Sequence, residues 1–105
     1  MGDTNEYTVH DLVRDELYKN MDVEYGKFTA SLSPGAGNII GVRIPVLRKM
    51  AKEIASVNWK EYLDGARDDT FEEVMLQGIV LGYARGKIND ILTYMERFIP
   101  KIDDW

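Results

Sequence analysis

An all-α fold follows from three features of this 105-residue chain. Apolar residues recur at three- and four-residue spacing in nearly every segment. No run alternates with the two-residue period of a strand. Residues that start helices stand directly before several of the periodic stretches. The pattern predicts six amphipathic helices on short links, grouped as about three antiparallel helix pairs. A helical bundle and a short helical solenoid both satisfy it.

The first helix has Thr8 as N-cap and Val9, Leu12, Val13, Leu17 and Met21 on one face. Asp22 is placed to cap a short second helix carrying Tyr25, Phe28, Thr29 and Leu32, with Gly26 weakening it. Ser33 to Gly41 is the one extended loop. Pro45 suits the first turn of a third helix, because its missing N–H has no partner there in any case. Leu47, Met50, Ala51 and Ile54 form the buried stripe of that helix, with Arg48, Lys49, Lys52 and Glu53 outside. Asn58 caps a fourth helix with Trp59, Tyr62 and Leu63. Thr70 and Glu73 form a capping box for a fifth. That fifth helix is apolar on two sides, so it is expected between layers, with Gly78 and Gly82 admitting a neighbouring backbone. The sixth runs from about Asn89 to Ile99, where Pro100 ends or kinks it. Asp103 or Asp104 then reads as the N-cap of a further helix, or Trp105 ends a frayed tail.

Composition excludes several classes. Hydrophobic residues make up 45% and charged residues 30%, which argues for a packed domain and against disorder. The absence of cysteine removes disulfides and thiolate chemistry and fits a reducing compartment. No segment approaches the roughly twenty apolar residues of a membrane span, and MGDTNEYT carries no secretory signal. A cytoplasmic location is the default expectation, with no membrane partner. A net charge of −5 argues against nucleic-acid binding by the whole surface, so any such role needs a local basic patch.

Motifs for catalysis and cofactors are sparse. Pro34 to Gly41 is glycine-rich but follows an amphipathic helix and lacks Gly-Lys-Ser/Thr, so it reads as a connector. His10, the single histidine, has Arg14 at i+4 and is expected on the surface without a metal. No triad has credible members, and most carboxylates fall on solvated faces and caps. No cofactor and no metal is expected. One basic cluster remains: Arg43, Arg48, Lys49 and Lys52. Arg48 and Lys52 project the same way one helical turn apart, and Arg43 precedes the helix, a geometry suited to phosphates along one DNA strand. The alternative is an ordinary solvated face with Lys49 paired to Glu53.

Three segments carry a resemblance: GVRIPVLRKMAKEI (Gly41 to Ile54), FEEVMLQGIVLGYA (Phe71 to Ala84) and FIPKIDDW (Phe98 to Trp105). Together they resemble the N-terminal part of bacterial DNA alkylation repair proteins, the AlkD-like DNA glycosylases built from HEAT-like repeats. The likeness runs from about Phe28 to the end of the chain. It implies an all-α superhelix of HEAT-like repeats, residues 1–105 being the N-terminal part of a single repeat domain. It also implies duplex DNA carrying cationic N3- or N7-alkylpurines as partner, with hydrolysis of the N-glycosidic bond without flipping the base. In that family phosphate contacts lie near the loop-to-helix junction, which favours Arg48 most and Arg43 least. Trp105 matches the family's catalytic tryptophan, whose indole face can stabilise a cationic base and the developing sugar cation. The family's motif continues to an aspartate four residues on, before which this sequence stops. The resemblance therefore implies a fragment that does not itself excise bases. A non-catalytic helical-repeat scaffold binding protein or DNA is the alternative from a different class.

Overall fold

In a computed structural model of the chain, residues 9–32 and 38–103 are described. The Thr8 cap, residues 33–37 of the loop, Asp104 and Trp105 lie outside them. The protein is all-α: five helices and no strand occur among the described residues. They are α1 (Val9–Lys19), α2 (Val23–Leu32), α3 (Ile44–Asp64), α4 (Phe71–Tyr83) and α5 (Ile88–Asp103). None is long and apolar enough to cross a membrane.

Six helical segments were expected, and α3 accounts for the difference. Asn58 leaves helical geometry at φ −160° and ψ 89°, and its Oδ1 accepts the N–H of Glu61 at 3.1 Å. Asn58 therefore caps a second arm that continues from the first without an intervening loop. The fold turns on this break. Trp59, the next residue, is buried and donates from Nε1 to the Arg85 carbonyl at 2.8 Å, beyond the far end of α4. The second arm then runs back along α4, so that Gln77 reaches the Arg67 carbonyl at 2.9 Å.

Local caps start the other elements. Asp22 Oδ1 accepts the Tyr25 N–H at 3.0 Å and opens α2. The Thr70 hydroxyl accepts the Glu73 N–H at 3.2 Å and opens α4. α5 starts one residue before Asn89, on the Lys87 carbonyl. It runs on through Pro100 to Asp103, so Asp103 lies within this helix, and Asp104, the other candidate cap, lies outside the described residues. Proline in the last turn removes a single hydrogen bond. Lys101 Nζ compensates by tying that turn to Gln77 Oε1 at 2.7 Å and to Asp68 at 3.1 Å.

The core joins Val13 and Leu17 of α1, Ile40 and Val42 of the loop, Leu47, Met50, Ala51, Trp59 and Tyr62 of α3, and Leu76, Val80 and Leu81 of α4. Each fully buried leucine removes on the order of 2 kcal/mol worth of apolar surface from water. α4 and α5 are antiparallel, since Phe98 meets α4 at Gly78 and Lys101 meets it at Gln77. A Cβ at Gly78 would lie 2.8 Å from the Phe98 ring. Gly82, by contrast, faces open space, so only the first of the two glycines makes room, and for a side chain and not a backbone. The arrangement is compatible with a short array of helix pairs.

His10 is half-buried, not a surface residue. Its ring lies 5.3 Å from that of Tyr62 and sits on Gly65, where a Cβ would come within 2.7 Å of Nε2. Burial, then the neighbouring Arg67 guanidinium, holds its pKa below the usual histidine value.

Candidate nucleic-acid interface

The basic cluster lies where the loop enters α3. Pro45 occupies the first turn there, and Arg43 sits at the N-cap position without a side-chain cap bond. Leu47, Met50 and Ala51 bury one stripe of the helix, so the intervening Arg48 and Lys52 are forced onto its exposed face, one turn apart. Neither makes an ion pair with any described residue. Lys49 is also exposed and lines a groove of about 610 Å³ between α1 and α3 with Glu16 and Glu53. The expected Lys49–Glu53 ion pair is not formed among the described residues.

Arg43 stands apart from the other three. Its guanidinium pairs with Asp22 at 3.0 Å and covers the Tyr25 ring at 4.7 Å. The Tyr25 N–H first, and Arg43 second, hold the Asp22 carboxyl below the ordinary aspartate value. Arg43 thus ties the loop to α2, with its charge partly neutralised, while Arg48, Lys49 and Lys52 keep theirs.

The partnering of the remaining cations sets this face apart. Arg14, Lys27, Arg67, Lys60, Arg97 and Lys101 all hold carboxylates within 4 Å. Lys19, Arg85 and Lys87 have no such partner among the described residues, but none belongs to a comparable run. Only α3 carries three such cations within two turns.

What aims this helix is a pair of buried carboxylates at the start of α4, of which Glu73 is the partner of Thr70 in the expected capping box. Glu72 and Glu73 are 2% and 3% exposed. Glu72 accepts the backbone N–H groups of Ile40 at 2.8 Å, Gly41 at 2.8 Å and Val42 at 3.2 Å. One side chain on α4 thus satisfies three successive loop amides just before α3 begins. The loop is correspondingly more than a connector. Ile40, Gly41 and Val42 are buried, and Gly41 has φ +96°. A Cβ at Gly41 would collide with the Asp22 carbonyl, and one at Gly26 would lie 3.3 Å from the Gly41 Cα. Two glycines therefore let α2 and the loop touch backbone to backbone, which gives Gly26 a packing reason that outweighs its helix cost.

Glu73 completes the clamp. It accepts from Arg14 Nε at 3.1 Å and from Arg14 Nη2 at 2.9 Å, while Arg14 also reaches Asp69 at 2.6 Å. The local signal for these residues was two adjacent glutamates opening an otherwise apolar helix. Their partners, about 30 residues and more away in the chain, carried none.

Trp105 lies outside the described residues, so the structure brings no aromatic or carboxylate group of the expected catalytic pair together. Among the described residues no cluster of three or more His, Asp or Glu is arranged to hold a metal ion.

The fold and this face define an all-α helical protein with a local unpaired basic surface on an otherwise acidic chain. Comparison with known protein families, with characterised proteins and with solved structures yields no match.

Proposed function

We propose that this chain is a DNA-contacting part of an alkylation repair glycosylase of the AlkD-like kind, with α3 lying along the phosphate backbone of a duplex. The observation that carries the reading is the run of Arg48, Lys49 and Lys52, exposed and without anionic partners among the described residues, in a chain of net charge −5. Unpaired cations at helical spacing fit a row of phosphates, and displaced counterions supply most of the affinity. The clamp from Glu72 fixes the direction in which the helix leaves the loop, and so the angle of this row. Arg43 contributes by holding the loop to α2 more than by contact. The catalytic part of the proposal, an indole at Trp105 facing a cationic N3- or N7-alkylpurine, rests on the resemblance of the FIPKIDDW segment.

The test is DNA binding as a function of salt. Arg48→Ala and Lys52→Ala are each expected to weaken binding to all duplexes alike and to reduce the slope of log K against log salt by about 1. Lys87→Ala, which removes equal charge away from α3, is expected to leave the slope unchanged. Equal slopes for all three variants and the parent chain would remove α3 from the interface. A helical-repeat scaffold that binds protein predicts no DNA affinity beyond that of an acidic protein.

A further inference from the structure

His10 is the single histidine of the chain, and therefore the only side chain whose ordinary pKa falls near neutrality. The fold does not leave it in solvent. As the second residue of α1, it turns its ring into the corner where α3 ends and the chain heads for α4. The Nε2–Cδ2 edge lies on Gly65, where a Cβ would come within 2.7 Å and 3.3 Å of those two atoms. The ring centroid is 5.3 Å from that of Tyr62, whose phenol is buried in the core. Gly65 has φ −112°, which is open to every L residue, so its own conformation does not call for glycine. Room for the imidazole does.

We infer that this ring is a pH-operated latch. Neutral, it fastens the first turn of α1 to the end of α3; protonated, it leaves the corner and that turn opens. The latch does not depend on the role proposed for α3.

The charges around the ring set the direction. Asp11 faces it from α1, Glu61 from α3, Arg67 from the link and Glu73 from α4. Two of the three carboxylates are already engaged, Asp11 with Arg67 at 2.7 Å and Glu73 with Arg14 at 2.9 Å. Glu61 is exposed, where water and salt screen its pull. Against these stand the Arg67 cation and the loss of water around a ring pressed on Tyr62 and Gly65. Burial first, and Arg67 second, therefore keep the ring neutral to lower pH than a free histidine. The closed turn binds the proton less readily than the open one. Closure is complete above the ordinary value of 6.5 and is lost as pH falls through the lower folded value.

No other displaced group moves into this range. Asp22, Asp64 and Asp90 are shifted downward from 3.8, and Lys60 and Tyr94 upward from their ordinary values. Burial pushes the Tyr62 phenol up as well, so it stays protonated throughout. Opening is also local. Val13 and Leu17 are core residues and Arg14 is clamped to Glu73, so the remainder of α1 stays in place. What is given up is the Val9–Asp11 turn, the Asp11–Arg67 pair and the wall that Val9 supplies to a cleft of about 220 Å³ beside Ile54, Val57 and Tyr62.

The experiment is an NMR titration of the full 105-residue chain from about pH 8 to about pH 5, following the His10 Cε1 proton, the Tyr62 ring and the Gly65 amide. Amide exchange is read in parallel at Val13 and Arg14, whose N–H groups bond back to the carbonyls of Val9 and His10 in the first turn. His10 is expected to titrate below 6.5, with Tyr62 and Gly65 following at the same midpoint. Exchange at Val13 and Arg14, corrected for its intrinsic pH dependence, is expected to quicken several-fold across that midpoint, while that of Leu17 holds. His10→Phe keeps a ring in the corner with no proton to gain, and is expected to hold the turn closed over the whole range. Gly65→Ala sets a methyl against Nε2 and is expected to leave the turn open even at the upper end. Arg67→Gln removes the cation and frees Asp11 for the ring, so the His10 midpoint is expected to rise. Circular dichroism at neutral pH is the folding control; if Gly65→Ala does not fold, His10→Phe and Arg67→Gln decide. A His10 midpoint at or above 6.5 overturns the proposal. So does exchange at Val13 and Arg14 that ignores the titration, a pH dependence that persists in His10→Phe, or a midpoint that falls in Arg67→Gln.

Discussion

α4 and α5 are neighbours patterned differently: α4 is apolar on two sides and enclosed, while α5 carries one broad apolar face that is only partly covered. α4 has α3 against one side and α5 against the other, and Val74, Leu76, Val80 and Leu81 are buried along it. α5 packs Ile91, Tyr94 and Phe98 inward, and Leu92, Met95 and Ile99 beside them are left about half exposed. The polar residues differ in the same way. On α4, Glu72, Glu73 and Gln77 are buried and every one of them is bonded to another element. On α5 the polar contacts other than that of Lys101 with Gln77 are exposed. Tyr94 donates to Asp64 at 2.6 Å, Arg97 stacks on Tyr94 at 4.4 Å, and Lys60 meets Asp90 at 2.7 Å. The lesson is that an apolar face states a demand for cover. Whether the same chain supplies it depends on neighbours that the helix itself does not encode.

The largest expected contrast is between two glutamates. Glu72→Ala orphans three buried loop amides and is expected to cost about 4 kcal/mol of stability. Glu96→Ala on α5 is expected to change less than about 0.5 kcal/mol. Urea unfolding of both variants checks this, and a similar small cost for each would mean that the loop amides find other partners.

Two leucines come next. Leu76→Ala empties a fully buried site and is expected to cost about 3 kcal/mol. Leu92→Ala, roughly half exposed, is expected to cost under about 1 kcal/mol in dilute solution. Urea unfolding of both variants checks this, and equal costs would mean that Leu92 is packed as fully as Leu76.

The two glycines of α4 sharpen the comparison within one helix. Gly78→Ala drives a methyl into the Phe98 ring and is expected to destabilise by about 2 kcal/mol and loosen α5. Gly82→Ala meets nothing within 4 Å and is expected to stabilise by up to about 1 kcal/mol. Opposite signs in thermal melts are the expected result.

Acid is the smallest lever on α5. Asp64 is held below its ordinary value first by the Tyr94 hydroxyl and then by Arg97, and Asp90 is held below its own by Lys60. A depressed carboxylate contributes stability above its unfolded pKa of 3.8 and loses it as pH falls through the lower folded value. Amide exchange at pH below 4 is therefore expected to quicken on α5 before α4. Both groups are solvent-exposed, so the effect is small and is reduced further by salt.

Much of the local structure was legible because its rules act over three or four residues. Asp22, Asn58 and Thr70 act as caps where their spacing to the next helical stretch says they should, and Leu47, Met50 and Ala51 face inward at the period of a helix. Arg48 and Lys52 were placed on an exposed face for the same reason. Pro100 does not end α5, and Lys101 beside it anchors the last turn to α4 and its approach. The capping box of Glu73 was legible, but its pairing with Arg14 and the burial of Glu72 were not, because these partners are an arginine and loop amides far off in sequence. Gly78 and Gly82 look alike in the chain and differ only in what stands opposite.

The sequence by itself determined the all-α class, the positions of the helices to within a few residues, and which face of each is apolar or basic. These are consequences of backbone hydrogen bonding and side-chain period, which are local. The tertiary structure alone decided that the loop from Asn38 to Arg43 is clamped by Glu72, that α3 turns back at Asn58 without a linker, and that Arg43 is engaged while Arg48 is not. It also decided that α4 is enclosed and α5 is left half bare. Such outcomes depend on which surfaces meet across tens of residues, and a helical period specifies a face without naming what will cover it.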